Sequence, residues 1–158
     1  MAAAASRCYV VSMTAVAVTG AITLIQLKAG ATVPIQIIRA TVAQSSSTTS
    51  TQQRVQINRK SAAGTVTSFT PLKMGPSTDP AAAAAGGTSS TGTNASAEGT
   101  DTDILKQDVW NYLNGWMHLP TPKEYLFVDA ATFVGSKFPA APGSSVTISA
   151  DVVFEELA

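Results

Sequence analysis

Catalysis needs nucleophiles, bases and electrophiles at matched spacing, and this chain offers few of them. Its only histidine is His118, between Met117 and Leu119, and its only cysteine is Cys8, far away in sequence. A Cys–His nucleophile pair or a Cys/His zinc site needs more such groups than these two separated ones. Cys8 also has no second cysteine to join, and it reads as a small apolar residue opening a strand. Asp101-Thr102-Asp103 starts like a calcium loop but lacks the downstream glycine and bidentate glutamate of an EF-hand. Glu155 and Glu156 are adjacent, so a strand would aim them at opposite faces and not at one substrate. Gly86-Gly87 follows an alanine run and not a strand-to-helix turn, so it is no phosphate loop. Asn94-Ala95-Ser96 spells a glycosylation triplet. The expectation is a protein that is not an enzyme and takes no metal and no cofactor.

What remains is the chemistry of contact. Trp110, Tyr112 and Trp116 crowd around the turn signal Asn114-Gly115. Such a cluster is either a core anchor or an interface hot spot. Base stacking would interleave these rings with basic residues; the neighbours here are Asp103, Lys106 and Asp108, which points away from nucleic acid. Arg54, Arg59 and Lys60, grouped on one predicted strand, are candidate contacts for an acidic partner.

Charge supports the same reading. The chain has 10 basic and 10 acidic residues, so its net charge is zero, and charged residues are only 13% of it. That is about half the usual share of roughly 25%. A surface of Ser, Thr, Gln and Ala is cheap to desolvate, as suits a subunit buried against neighbours. The signs are also segregated. Arg7, Lys28, Arg39, Arg54, Arg59, Lys60 and Lys73 all precede the first acid, Asp79. If strands from the two halves interleave, or if subunits meet head to side, these signs pair.

The elements that must position these residues are strands. A chain of 158 residues fits one domain with a real core. Tyr9 to Leu27 is uncharged, flanked by Arg7 and Lys28, and long enough to cross a bilayer. Yet Ser12, Thr14, Thr19, Gly20, Thr23 and Gln26 dilute it, and its β-branched, locally alternating residues favour strands. The pattern predicts two strands broken near Thr19-Gly20-Ala21 and no membrane segment. Residues 1–7 are expected as an N-terminal arm and 8–158 as a single domain. Val33 to Ala43 predicts a long strand with Val33, Ile35, Ile37, Arg39 and Thr41 on one face. Gln52 to Lys60 alternates, with Val55 and Ile57 inward and Arg54, Gln56 and Asn58 outward. Residues 75–100, almost without large apolar side chains, predict one long Ala/Gly/Ser/Thr-rich loop. Ile104 to Leu113 fits a helix or a strand. Ser144 to Phe154 alternates, with Val146, Ile148, Ala150, Val152 and Phe154 facing one way. Short strands without βαβ alternation predict an all-β fold, a β-sandwich of jelly-roll type with about eight strands.

Several segments resemble a group of small virion proteins of tailed phages. They are Gln53-Arg54-Val55-Gln56-Ile57-Asn58-Arg59, then Gly115-Trp116 with Leu119-Pro120-Thr121-Pro122-Lys123-Glu124, and the ending Val153-Phe154-Glu155-Glu156. The likeness runs loosely from Tyr9 to the C-terminus, skips the low-complexity loop and contains no catalytic motif. It implies a capsid cement (decoration) protein: a β-sandwich, often trimeric, that clamps the shell from outside. The expected partners are then the major capsid protein and further copies of this chain, and the expected location is the virion surface. A tail or fibre component, a carbohydrate-binding virion protein, and a membrane-anchored or secreted surface protein are the alternative expectations.

Overall fold

The uncharged stretch after Arg7 folds as two strands, β1 (Cys8–Val18) and β2 (Ile22–Lys28), parted at Thr19-Gly20-Ala21 as its dilution by polar residues predicts. In the computed structural model, residues 7–45, 50–88 and 98–157 are described. The predicted glycosylation triplet at 94–96 and most of the predicted arm lie outside them. No helix among the described residues is long and apolar enough to cross a membrane. The chain continues through β3 (Ile35–Gln44), β4 (Gln52–Ala62), β5 (Thr67–Phe69), β6 (Leu72–Lys73), β7 (Ala85–Thr88) and β8 (Thr100–Asn111). It ends with β9 (Trp116–His118), β10 (Leu126–Val128), β11 (Phe133–Phe138) and β12 (Val146–Glu156).

These strands form two antiparallel sheets packed face to face, a β-sandwich. The first runs β10-β3-β12-β1-β6, with β9 also on β3; the second runs β5-β7-β2-β11-β4-β8. Their inner faces share one core. Tyr9, Val11, Ile22, Leu24, Ile35, Val55, Phe138, Ile148 and Phe154 are all fully buried in it. Tyr9 and Phe154, cross-strand partners on β1 and β12, pack with ring centroids 5.6 Å apart. Each such side chain contributes about 1.5–3 kcal/mol through its burial.

Bulges decide which residues reach the core. The ladder between β1 and β12 slips between Met13 and Val16, where Ala15 takes a positive φ of 51°. Met13 therefore points inward, and Val18 inward again after the slip. In β3 a register shift opposite Val153/Phe154 inserts one residue between Ile37 and Arg39. Ile35 and Ile37 face the core as expected, but Ala40 and Val42 take over from there. Arg39 and Thr41 are thereby turned off the face predicted for them. β12 buries Val146, Ile148, Ala150, Val152 and Phe154, as its alternation predicts.

Two further expectations change. The segment that fits either state, 104–113, is strand β8 through Asn111 and then a single 3-10 turn, Tyr112–Asn114, with Asn111 Oδ1 accepting from the Leu113 amide at 3.0 Å. Residues 75–100 are not one uninterrupted loop, because β7 lies among them, between β2 and β5. Its glycines make that possible. A Cβ on Gly86 would stand 2.6 Å from Val11 Cγ2 and 2.9 Å from the Phe69 carbonyl oxygen. Only a bare backbone fits in that space. Together β6 and β7 carry the chain from the edge of the first sheet into the second, where β7 lies just inside the edge strand β5. Tyr9 Oη donates to the Pro80 carbonyl (3.1 Å) and the Ala84 amide donates to the buried Glu156 carboxylate (2.8 Å), tying this strap down.

Candidate functional site

The strand β4, which carries the candidate basic contacts, lies between β11 and the outer strand β8. Basic residues of the first half thus meet acids of the second. Arg59 pairs with Asp103 (3.6 Å), and Lys60 with Asp101 (2.9 Å), across the β4–β8 ladder. The three basic candidates consequently do not form one patch. Arg54 is exposed. Arg59 is half-buried and donates to the Phe127 carbonyl (2.9 Å), tying β4 to β10. Lys60 is no surface contact: its side chain is 0% exposed and bonded within the protein.

Lys60 belongs to a polar cluster on the outer side of the second sheet, under residues 98–101. Its Nζ donates to the Glu98 carbonyl (2.5 Å) and lies against Asp101 Oδ1. Asp101 Oδ2 accepts from Lys137 Nζ (2.8 Å) and Asn58 Nδ2 (3.0 Å). The Glu98 carboxylate accepts from both the amide and the hydroxyl of Thr23. Gln56 donates to Gln107 (2.5 Å). Gln56 and Asn58 point outward as predicted, yet both are buried, because this cover encloses them. Burial by itself would raise the Asp101 carboxyl; the hydrogen bonds from Lys137, Lys60 and Asn58 outweigh it and hold the group below the usual carboxylate range.

Trp110, Tyr112 and Trp116, candidates for an interface, are brought together as predicted but inside the core. Trp110 meets Tyr112 edge-on at 5.2 Å, and Tyr112 meets Phe138 at 6.3 Å. Burial pushes the Tyr112 hydroxyl up to about 12. Trp116 Nε1 donates to Asp108 (3.0 Å), and its ring stacks on His118 at 6.3 Å. For Asp108 too, burial is outweighed, here by the bonds from Trp116 and Lys106, and its carboxyl sits low.

The exposed apolar residues went unsignalled. Ile104 and Val109 on β8, Leu113 in the turn, Met117 and Leu119 in and after β9, and Phe127 on β10 are each at least 43% exposed. These six belong to the edge opposite the strap; Leu72 and Met74, 55% and 50% exposed, lie on and just after β6 in the strap itself. Between the two sheets there, Leu105, Lys106, His118, Pro120, Glu124 and Leu126 border an open cleft. The Thr121–Glu124 capping box shapes its rim, with Thr121 Oγ1 donating to Glu124 at 2.8 Å. Among the described residues no cluster of His, Cys, Asp or Glu could hold a metal ion. Glu155 and Glu156 do separate to opposite faces, bonding Gln36 (2.8 Å) and the Ala84 amide.

This arrangement sets the pH response. Burial holds the His118 pKa below its ordinary 6.5, with Lys106 adding to the effect. The unfolded chain therefore takes up that proton first, so stability declines as pH falls through about 6.5. Asp108, and Asp101 while it is a free carboxylate, are held below 3.8; they add stability above that value and lose it as pH falls through their folded-state values. Urea midpoints measured against pH should decline in two stages. His118→Gln should flatten the first alone; an unchanged profile contradicts the assignment.

No family model, no curated protein and no solved structure matches this chain.

Proposed function

We propose that this chain is a structural virion protein that binds the outside of a tailed-phage capsid and strengthens the shell. The observation that carries the reading is how its surface is spent. Charges are scarce, many are paired internally, and most of the exposed large apolar side chains among the described residues line one edge of the sandwich. Ile104, Val109, Leu113, Met117, Leu119 and Phe127 fit a partner that covers them. The major capsid protein is that partner in this reading, with Arg54 at the margin and further copies of the chain completing a trimer. Weak contacts from three linked copies then sum by multivalency.

The strand order favours a jelly roll as the finer description. Taking β9 and β10 as one broken strand, the first sheet holds β1-β12-β3-β9/β10 and the second β2-β11-β4-β8. Eight strands wound as two Greek keys pair in this way, and viral capsid domains use that architecture. The resemblance at Gln53 to Arg59 and at Leu119 to Glu124 points the same way; both segments lie in or beside the open edge.

Attachment to stripped capsids is the test. Met117→Asp, at a position 60% exposed, should change stability by less than about 0.5 kcal/mol. The same variant, and Arg54→Glu, should weaken attachment and leave capsids easier to burst. Decorated capsids should carry hundreds of copies, on the order of the shell's own subunit number, as multivalent cover requires. A few copies at the tail, or stripped capsids that resist pressure unchanged, would overturn the reading.

A further inference from the structure

The Lys60 cluster is built with more care than an ion pair needs. Three register shifts flank it in the β4–β8 ladder, at Ile57/Asn58, Arg59/Lys60 and Lys60/Ala62, and they aim Lys60 at Asp101. Gly135 leaves the space for it, since a Cβ there would stand 2.8 Å from Lys60 Cε. The ammonium it admits is wholly cut off from water. Retaining a buried ion pair is weakly favourable or unfavourable for stability, so the investment calls for another product.

We propose that Lys60 and Asp101 condense to a side-chain amide that staples β4 to β8. Nζ lies 2.9 Å from Oδ1, so the reacting groups are already in contact. The Lys60 ammonium is shielded from water while Asp101 is partly open to it, so transfer of one proton from the ammonium to Oδ1 removes the one wholly buried charge and leaves a neutral amine facing a carboxylic acid. Nζ then adds to Cγ. The negative charge that grows on Oδ2 falls on Lys137 Nζ (2.8 Å) and Asn58 Nδ2 (3.0 Å), which are placed as an oxyanion hole. The Nζ–Cγ bond forms and the Cγ–Oδ1 bond breaks. Oδ1 leaves as water with two protons, both from the original ammonium. Nothing is oxidised or reduced, and no co-reactant is needed. The product removes the costliest buried charge and locks the exposed outer strand β8, whatever surface the protein attaches to.

Intact-mass measurement of the full natively folded chain decides the matter. The expected mass is lower than the sequence mass by one water. A tryptic map should show no cleavage after Lys60 and one branched peptide joining Lys60 to Asp101. Lys60→Arg and Asp101→Ala should each restore the full mass. Lys137→Met keeps both reacting groups and should slow formation about 10²-fold. A folded protein, verified by a cooperative melt, that keeps its full mass after long incubation overturns the proposal. So does a lost water that maps to any other pair. The wild-type mass settles the question even if a variant fails to fold.

Discussion

Tyr112→Ala is expected to lower the free energy of unfolding by about 3–5 kcal/mol, the range for truncating a large buried aromatic residue. Tyr112 is 1% exposed and sits between Trp110 and Phe138, so no nearby group can fill the space without shifting a strand. Its hydroxyl is buried and has no hydrogen-bond partner among the described residues. Tyr112→Phe should therefore be neutral or slightly stabilising, because it removes a polar atom that gains nothing by burial. Chemical denaturation of both variants checks the pair. An interface residue would behave in the reverse way: the alanine variant would keep its stability and lose attachment to the partner. Equal stability of wild type and Tyr112→Ala would restore that role to the aromatic cluster.

The same cluster shows what a sequence discloses here. That Trp110, Tyr112 and Trp116 come together around Asn114-Gly115 follows from local turn chemistry, and Gly115 takes a φ of 66° there. Whether they face inward is decided by Phe138, which lies far along the chain. The two leading strands were legible because β-branched alternation is a local signal. The bulge in β3 was not, since it depends on the partner β12, and it reversed the faces of Arg39 and Thr41. Strand β7 was hidden because glycine normally argues against a strand. Its reason for being there is the side chain of Val11, pressed against Gly86 from another sheet. The apolar edge was equally silent, because an exposed leucine and a core leucine look alike until the strands are placed.

Lys60 gives the sharpest case and the second large effect. On an alternating strand it reads as a solvated cation, and only the cover of residues 98–101 makes it a buried one. Asp101→Ala leaves Lys60, with a side chain 0% exposed, and Lys137, 13% exposed, without their shared carboxylate. Breaking a buried pair from one side costs about 3–5 kcal/mol. Asp101 is itself 29% exposed, so water screens part of the loss and about 3 kcal/mol is expected. Lys60→Met should cost less, since Asp101 keeps Lys137 and a thioether suits the space beside Gly135. The double variant should be more stable than Asp101→Ala alone, because it removes the stranded ammonium as well as its partner. Urea unfolding of the three proteins, referred to wild-type protein in which the Lys60–Asp101 amide has not formed, gives the ranking directly. If Lys60→Met proved as damaging as Asp101→Ala, and the double variant the worst of the three, then Lys60 would be holding β4 to β8 by something other than its charge.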